Sequence, residues 1–472
     1  MNKRSLYRNI LLTTASYLFY AWGNPYLALL LLASSVVDFF IGRKIHEYNM
    51  HLEGIVKDNI DHINRKRKKL LICSVVFNIG LLAFFKYWDW LTEILFTYNN
   101  QIMLDLRPFK HGIEVPPGIS FYTFQTLSYT IDIYRRQFSP KGGFFNYLTF
   151  VAFFPQLIAG PIERARDLLP QLTKFKRNIS SKVAESAFFL ISWGLFKKVV
   201  FADNFGHLIE RCQDNISHSG LGLILVLAFA FQIYCDFSAY SDIARGTARL
   251  FGVRLTRNFL TPYLAINPSD FWKRWHISLS SWVRDYVYIP LGGNRCSKSR
   301  NVFNLLFTMF LMGLWHGAGK FFVLWGIYHG LLLILYRIIP IDKYLMQKLG
   351  NLWGRVLSTI IMFFFILFIW LLFWSKGGND FKNTLKSLIE TKYLFTDFSK
   401  IPTIFYELGY GLILFTLPII ITELIGFRYK REFVDMHKFL GVKTKAALYI
   451  LMFYGALFFG SRGTYDFIYF QF

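Results

Sequence analysis

Apolar runs recur from one end of this chain to the other, separated by short basic loops. They occupy residues 10–22, 26–41, 70–87, 187–201, 221–235, 302–316, 321–336, 356–373, 408–425 and 446–459. Two more, 119–133 and 144–159, are interrupted by Gln125 and by Pro155-Gln156, are bordered by Gly118, Gly143 and Gly160, and read as spans or as re-entrant segments buried in protein. A helix needs ~20 apolar residues to cross a bilayer, and helices are the open-ended structures that satisfy their own backbone there. The fold class expected is therefore an all-α polytopic membrane protein. It should have about 10–12 transmembrane or re-entrant helices, with interfacial helices on the cytoplasmic side. Charged residues are only 17% of the 472, against ~25% in soluble domains, so a soluble body with one anchor is excluded. Residues 1–22 resemble a signal peptide but lack a clear small-residue cleavage site, and read as an uncleaved first span.

Lys and Arg exceed Asp and Glu by 24. The excess is divided among short loops, as the positive-inside rule produces, so membrane lipid rather than nucleic acid accounts for it. Loops 43–69, 164–182, 254–300, 337–355 and 428–445 then face the cytoplasm, as does the N-terminus. Loops 89–116, 203–220 and 375–406, with mixed charge, face outward. Cys73, Cys212, Cys235 and Cys296 have neither disulfide-framework nor zinc spacing, and no metal is expected.

The run 301–319 has no formal charge if His316 is neutral, and it ends in Leu314-Trp315-His316-Gly317. Fifteen helical steps of ~1.5 Å put His316 roughly 22 Å from Asn301, deep in a ~30 Å hydrocarbon core. A polar ring at that depth marks a functional site by default. A second histidine, His276, falls in a stretch that Asn267-Pro268 opens and Pro290 with Gly292-Gly293 closes. Bulky residues at 271, 272, 275, 279, 282, 283 and 286 predict one amphipathic helix at the cytoplasmic surface. On it, the basic trio Lys273, Arg274 and Arg284 could attract an anionic ligand such as coenzyme phosphates, and Trp272, Trp275 and Asp285 are further donor-binding or tunnel candidates. Three polar sets lie in or beside apolar runs: Tyr122, Gln125, Asp132, Tyr134 and Arg135; Gln156 with residues 160–164; and Asp236 and Ser238 with Asp242 and Arg245. Each reads first as ion pairing or the lining of a polar tunnel, and Asp242 and Arg245 are spaced to pair. His329 sits on an apolar face and reads as structural. The P-loop, G-x-S-x-G and H-E-x-x-H signatures are absent.

Five stretches in order resemble the hallmarks of the membrane-bound O-acyltransferase superfamily. They are Pro116 to Arg135, Phe154 to Ile162, Cys235 to Ala244, Asp270 to Gly293 and Leu314 to Gly317. The tail, Phe467-Ile468-Tyr469-Phe470-Gln471-Phe472, resembles the bacterial alginate and peptidoglycan O-acetylation branch more than the teichoic-acid D-alanylation branch. The resemblance implies N-terminal helices over 1–110, a catalytic core over 111–340 and C-terminal helices over 341–472. It implies that His316 is catalytic, in a tunnel with Trp315 in its wall, and that His276 lies toward the cytoplasmic entrance. It further implies an acetyl-CoA or other acyl thioester donor, an extracytoplasmic O-acetyltransferase partner protein, and a polysaccharide acceptor reached indirectly. The setting would be a bacterial cytoplasmic (inner) membrane. A thioester is already activated; what remains is removal of a proton from the attacking hydroxyl, which a neutral imidazole can accept. An acyl-imidazole at His316 is the covalent variant. Two other readings stay open: D-alanyl transfer from a carrier protein, and a lipid or polysaccharide transporter with His316 as proton relay.

Overall fold

The computed structural model describes residues 3–22, 24–52, 60–98, 115–140, 142–174, 179–218, 220–390, 403–461, 463 and 465–468. Among them all regular structure is helical. Among the described residues seven helices are long and apolar enough to cross a membrane, and the chain is an all-α polytopic membrane protein. The expected spans at 10–22, 187–201 and 302–316 are helical too, but their helices are shorter or carry more polar residues than that measure allows. The chain divides into two compact units, one of residues 1–184 and 247–256, the other of residues 185–246 and 257–472.

The first unit contains α1 (Lys3–Ala21), α2 (Pro25–His51), α3 (Ile60–Tyr98), α4 (Ile119–Tyr134), α5 (Phe144–Ala152), α6 (Phe154–Leu157) and α7 (Ala165–Thr173). The interrupted run 144–159 is two helices broken at Phe153. Pro155 has no N–H to give Val151, and the N–H of Phe154 turns to Ser16 Oγ at 3.1 Å. That strands the carbonyl of Phe150. Gln125 Nε2 at 2.7 Å and Gln156 Nε2 at 3.3 Å supply the missing donors. Both candidate tunnel residues thus cap a broken helix. Tyr134 ends α4; its carbonyl accepts from Arg67, whose guanidinium lies 4.9 Å over the Tyr134 ring, and Arg135 follows as the cap. Tyr122 and Asp132 are buried on the same helix.

The second unit contains α8 (Ser181–Phe196), α9 (Asp203–Asp214), α10 (Leu221–Leu250), α11 (Pro268–Trp272), α12 (Ile277–Val283), α13 (Lys298–His316), α14 (Lys320–Ile338), α15 (Ile341–Trp374), α16 (Gly378–Ile389), α17 (Thr403–Tyr429) and α18 (Val442–Phe459). Its central feature for function is the α13–α14 hairpin. Gly326 and Gly330 on α14 and Gly313 on α13 remove bulk where the helices meet. A Cβ at Gly326 would lie 2.3 Å from the Met309 carbonyl oxygen, and one at Gly313 2.3 Å from that of Phe322. Small residues at this spacing let two helix backbones touch, which brings the end of α13, with His316, against Trp325 of α14.

A buried ionic chain holds a different part of this unit. Lys197 Nζ bonds Asp242 Oδ2 and Ser238 Oγ, both at 2.8 Å. Asp242 also pairs with Arg245 at 3.1 Å, and Arg245 reaches Glu432 at 2.7 Å. Lys198 bridges Asp203 at 2.9 Å and Asp236 at 3.0 Å, and Asp236 accepts the N–H of Ile468 at 2.7 Å. Asp236 and Ser238, read as tunnel candidates, are therefore members of ion-pair and hydrogen-bond sets. Of the tail motif 467–472, Phe467 and Ile468 are buried, and residues 469–472 lie outside the described residues.

Candidate active site

The continuous surface helix expected over 268–286 is not formed. It is broken into α11 and α12, with His276 between them in the left-handed region at φ 43°. The break is held from outside the segment. The N–H of Leu260 bonds the carbonyl of Arg274 and the N–H of Ile277 bonds that of Asn258, both at 2.9 Å, while Ser278 Oγ donates to Asn258 Oδ1 at 2.6 Å. These bonds replace helical ones and offset the cost of positive φ at a non-glycine residue. Nor does the segment lie on a surface: Phe271, Trp275, Leu279 and Trp282 are all at most 5% exposed. Trp275 packs 4.9 Å from Trp370 and stacks on Phe271.

The consequence is that His276 points inward. It is fully buried, 4.7 Å from the Phe237 ring and 6.2 Å from Trp315. Burial takes its imidazole pKa down to about 3, so it is neutral at working pH. His316 ends α13 and is 5% exposed. Its ring meets Trp315 at 4.9 Å, Trp325 at 4.7 Å and Phe373 at 5.2 Å, all three nearly edge to face. The two histidines, which the sequence set toward different ends of a tunnel, thus flank a single indole.

A cavity of about 320 Å³ is lined by Trp272, which packs 5.9 Å from Trp325, and by Lys273, Arg284, Thr308, Met309 and Met312 among others. Its polar edge differs from the basic trio the sequence suggested. Arg274 is drawn off: its Nε bonds Asp270 at 2.8 Å, one helical turn back, and its Nη1 bonds Thr261 Oγ1 at 2.9 Å. Arg284 bonds its neighbour Asp285 at 2.7 Å. Lys273 is exposed and makes no ion pair with a described residue. Lys273, and Arg284 beside its partner Asp285, are therefore the cations of the cavity wall, which Trp272 shares.

The arrangement is a buried cluster of indole, phenyl and imidazole rings, and Trp272, 5.9 Å from Trp325, is shared between its edge and the wall of a cavity that Lys273 and Arg284 also line. A model of the membrane-bound O-acyltransferase family matches residues 134–374, a span that holds His276, His316 and the cavity. The chain belongs to that family, and it is an acyltransferase. It is 37% identical over 379 residues to a probable alginate O-acetylase of Pseudomonas aeruginosa, covering 78% of this chain and 67% of the relative. It is 34% identical over 415 residues to a peptidoglycan O-acetyltransferase of Helicobacter pylori, covering 82% and 75%. With a teichoic acid D-alanyltransferase of Bacillus subtilis the identity is 27% over 272 residues, covering 55% and 68%.

Proposed function

We propose that the protein takes an acetyl group from an acyl thioester, acetyl-CoA or a carrier-bound equivalent, at the cytoplasmic face of a bacterial inner membrane. It passes the group outward for O-acetylation of an extracytoplasmic polysaccharide. The observation that carries this is His316, buried among Trp315, Trp325 and Phe373 beside a cavity rimmed by Lys273 and Arg284. The rim suits an anionic donor head, and the aromatic interior excludes the water that would hydrolyse the acyl group. His316 serves as general base toward the attacking hydroxyl, and the thiolate leaves. His276, across Trp315, belongs to the same site. The relatives named for alginate and peptidoglycan support an envelope polymer as final acceptor, reached through an extracytoplasmic partner transferase. The loop charges orient the N-terminus inward.

The test is purified protein in liposomes supplied with acetyl-labelled coenzyme A thioester inside and a soluble acceptor mimic outside. Label should reach the acceptor, and His316→Ala should lower the rate by ~10²–10⁴ while inserting normally. Transport of an intact lipid or saccharide with no acyl transfer would refute the reading, and use of a D-alanyl carrier in place of acetyl would redirect it to the more distant relatives' chemistry.

A further inference from the structure

His329 is fully buried on α14, yet neither of its ring nitrogens has a hydrogen-bond partner among the described residues. The same holds for Nε1 of Trp325, one turn earlier, and for Nε1 of Trp272. These three rings are one cluster: Trp325 to His329 is 4.5 Å, Trp272 to His329 4.8 Å and Trp272 to Trp325 5.9 Å between centroids. A buried polar atom left without a partner costs ~1–3 kcal/mol. A ring needed only for packing is better apolar, as Phe271 is, lying nearly parallel to His329 at 6.0 Å. A cluster that keeps several such atoms together is suited to a polar guest.

Its position says which guest. On one side Trp272 lines the cavity, whose wall also holds Thr308, with a buried hydroxyl that has no described partner. On the other side Trp325 touches His316 at 4.7 Å. A donor reaching from the cationic rim toward His316 therefore passes these rings. An indole N–H donates only, whereas a neutral imidazole donates from one nitrogen and accepts at the other. Together they match an amide, which offers one carbonyl and one N–H. Resting on the reading of His316 and a thioester donor given above, we propose that His329 is a substrate-contacting residue. It hydrogen-bonds an amide in the arm that carries the thioester and so holds the acyl carbon at His316.

The experiment is steady-state kinetics of purified protein with acetyl-CoA and a soluble acceptor mimic, with melting temperature measured on the same samples. His329→Leu should raise the donor KM roughly 3- to 10-fold at nearly constant kcat, the mark of lost uniform binding. Its melting temperature should hold or rise, because an unpartnered polar group has been removed. His329→Asn, which keeps a donor and an acceptor, should stay near the wild-type KM. Should the leucine variant not fold, Trp272→Phe removes one N–H from the same cluster and should raise KM likewise. Wild-type KM in His329→Leu, or equal losses of kcat and stability in both His329 variants, would make His329 a packing residue and overturn the proposal. If wild-type protein takes no acetyl from the thioester, or His316→Ala stays active, the donor reading fails first and this one with it. If both behave as that reading requires, only the His329 assignment is at stake.

Discussion

Gly326→Ala tests whether the closeness of α13 and α14 makes the site. The new Cβ would lie 2.3 Å from the Met309 carbonyl oxygen and 3.1 Å from the Gly313 Cα, all backbone atoms that no rotamer change can move. Ordinary contact begins at 3.4 Å, so the helices must part by about 1 Å. Trp325 is the next residue back and lies 4.7 Å from His316, so the His316 ring loses its neighbour's position by about that amount. A displacement of ~1 Å can cost about 10²-fold in rate, while overpacking costs ~1–3 kcal/mol of stability. Gly330→Ala is the milder comparison, since its Cβ would meet the Leu306 side chain at 3.0 Å, which can swing away, and the Leu306 Cα at 3.2 Å, which asks for a shift of only a few tenths of an ångström. Both variants should be assayed for acetyl transfer at equal amounts of folded protein, with melting temperature alongside. The expected order is a large kcat loss for Gly326→Ala and a small one for Gly330→Ala. Wild-type kcat in Gly326→Ala would show that helix contact does not set the geometry of His316.

His276→Ala should lower kcat and kcat/KM together, because His276 flanks the same indole as His316; an effect on KM alone would place it on the donor's path instead. The folded His276 value of about 3 lies below the ~6.5 of an unfolded chain, so its contribution is full above pH 6.5 and is lost as pH falls. By pH 5 the loss is about 2 kcal/mol, read as a lower melting temperature in detergent, and His276→Gln should flatten that slope. Lys197→Met leaves Asp242 with one cation fewer in a buried set and should cost ~3–5 kcal/mol, seen as loss of folded protein; normal yield would show the pair is expendable. Cysteine at exposed Lys68 or Lys298 should react with an impermeant reagent only from the cytoplasm, and at Lys386 only from outside; labelling of the Lys298 site in intact cells would reverse the topology.

The long helices were legible because hydropathy acts locally: each run reports its own need to leave water. His316 stood out for the same reason, as a polar ring closing an apolar run, and the fold buries it. The break at His276 was not. Apolar residues at 271, 275, 279 and 282 keep helical phase through it, and the bonds that open the helix come from Asn258 and Leu260. Lys197 was hidden inside an apolar run, its partner Asp242 being 45 residues away in sequence; a charge in such a run is itself the signal to look for an anion. Gln125 and Gln156 looked like tunnel lining because sequence shows polarity but not the carbonyl of Phe150 that each amide meets. The spacing Gly326 to Gly330 was visible, and it points to close helix contact. His329 looked structural because its surroundings are apolar, and its lack of partners is a property only of the folded chain.

Glu432 also imposes an order on biosynthesis. Asp242 must serve both Lys197 and Arg245, and the second anion for Arg245 lies 187 residues further along. At ~5–20 residues per second a ribosome needs about 10 to 40 s to make that stretch. Through that interval the nascent chain holds two cations against one carboxylate in a set that will end up buried. The half of the protein carrying α10 therefore cannot reach its final packing as it emerges, and closure of that set waits on the last part of the chain.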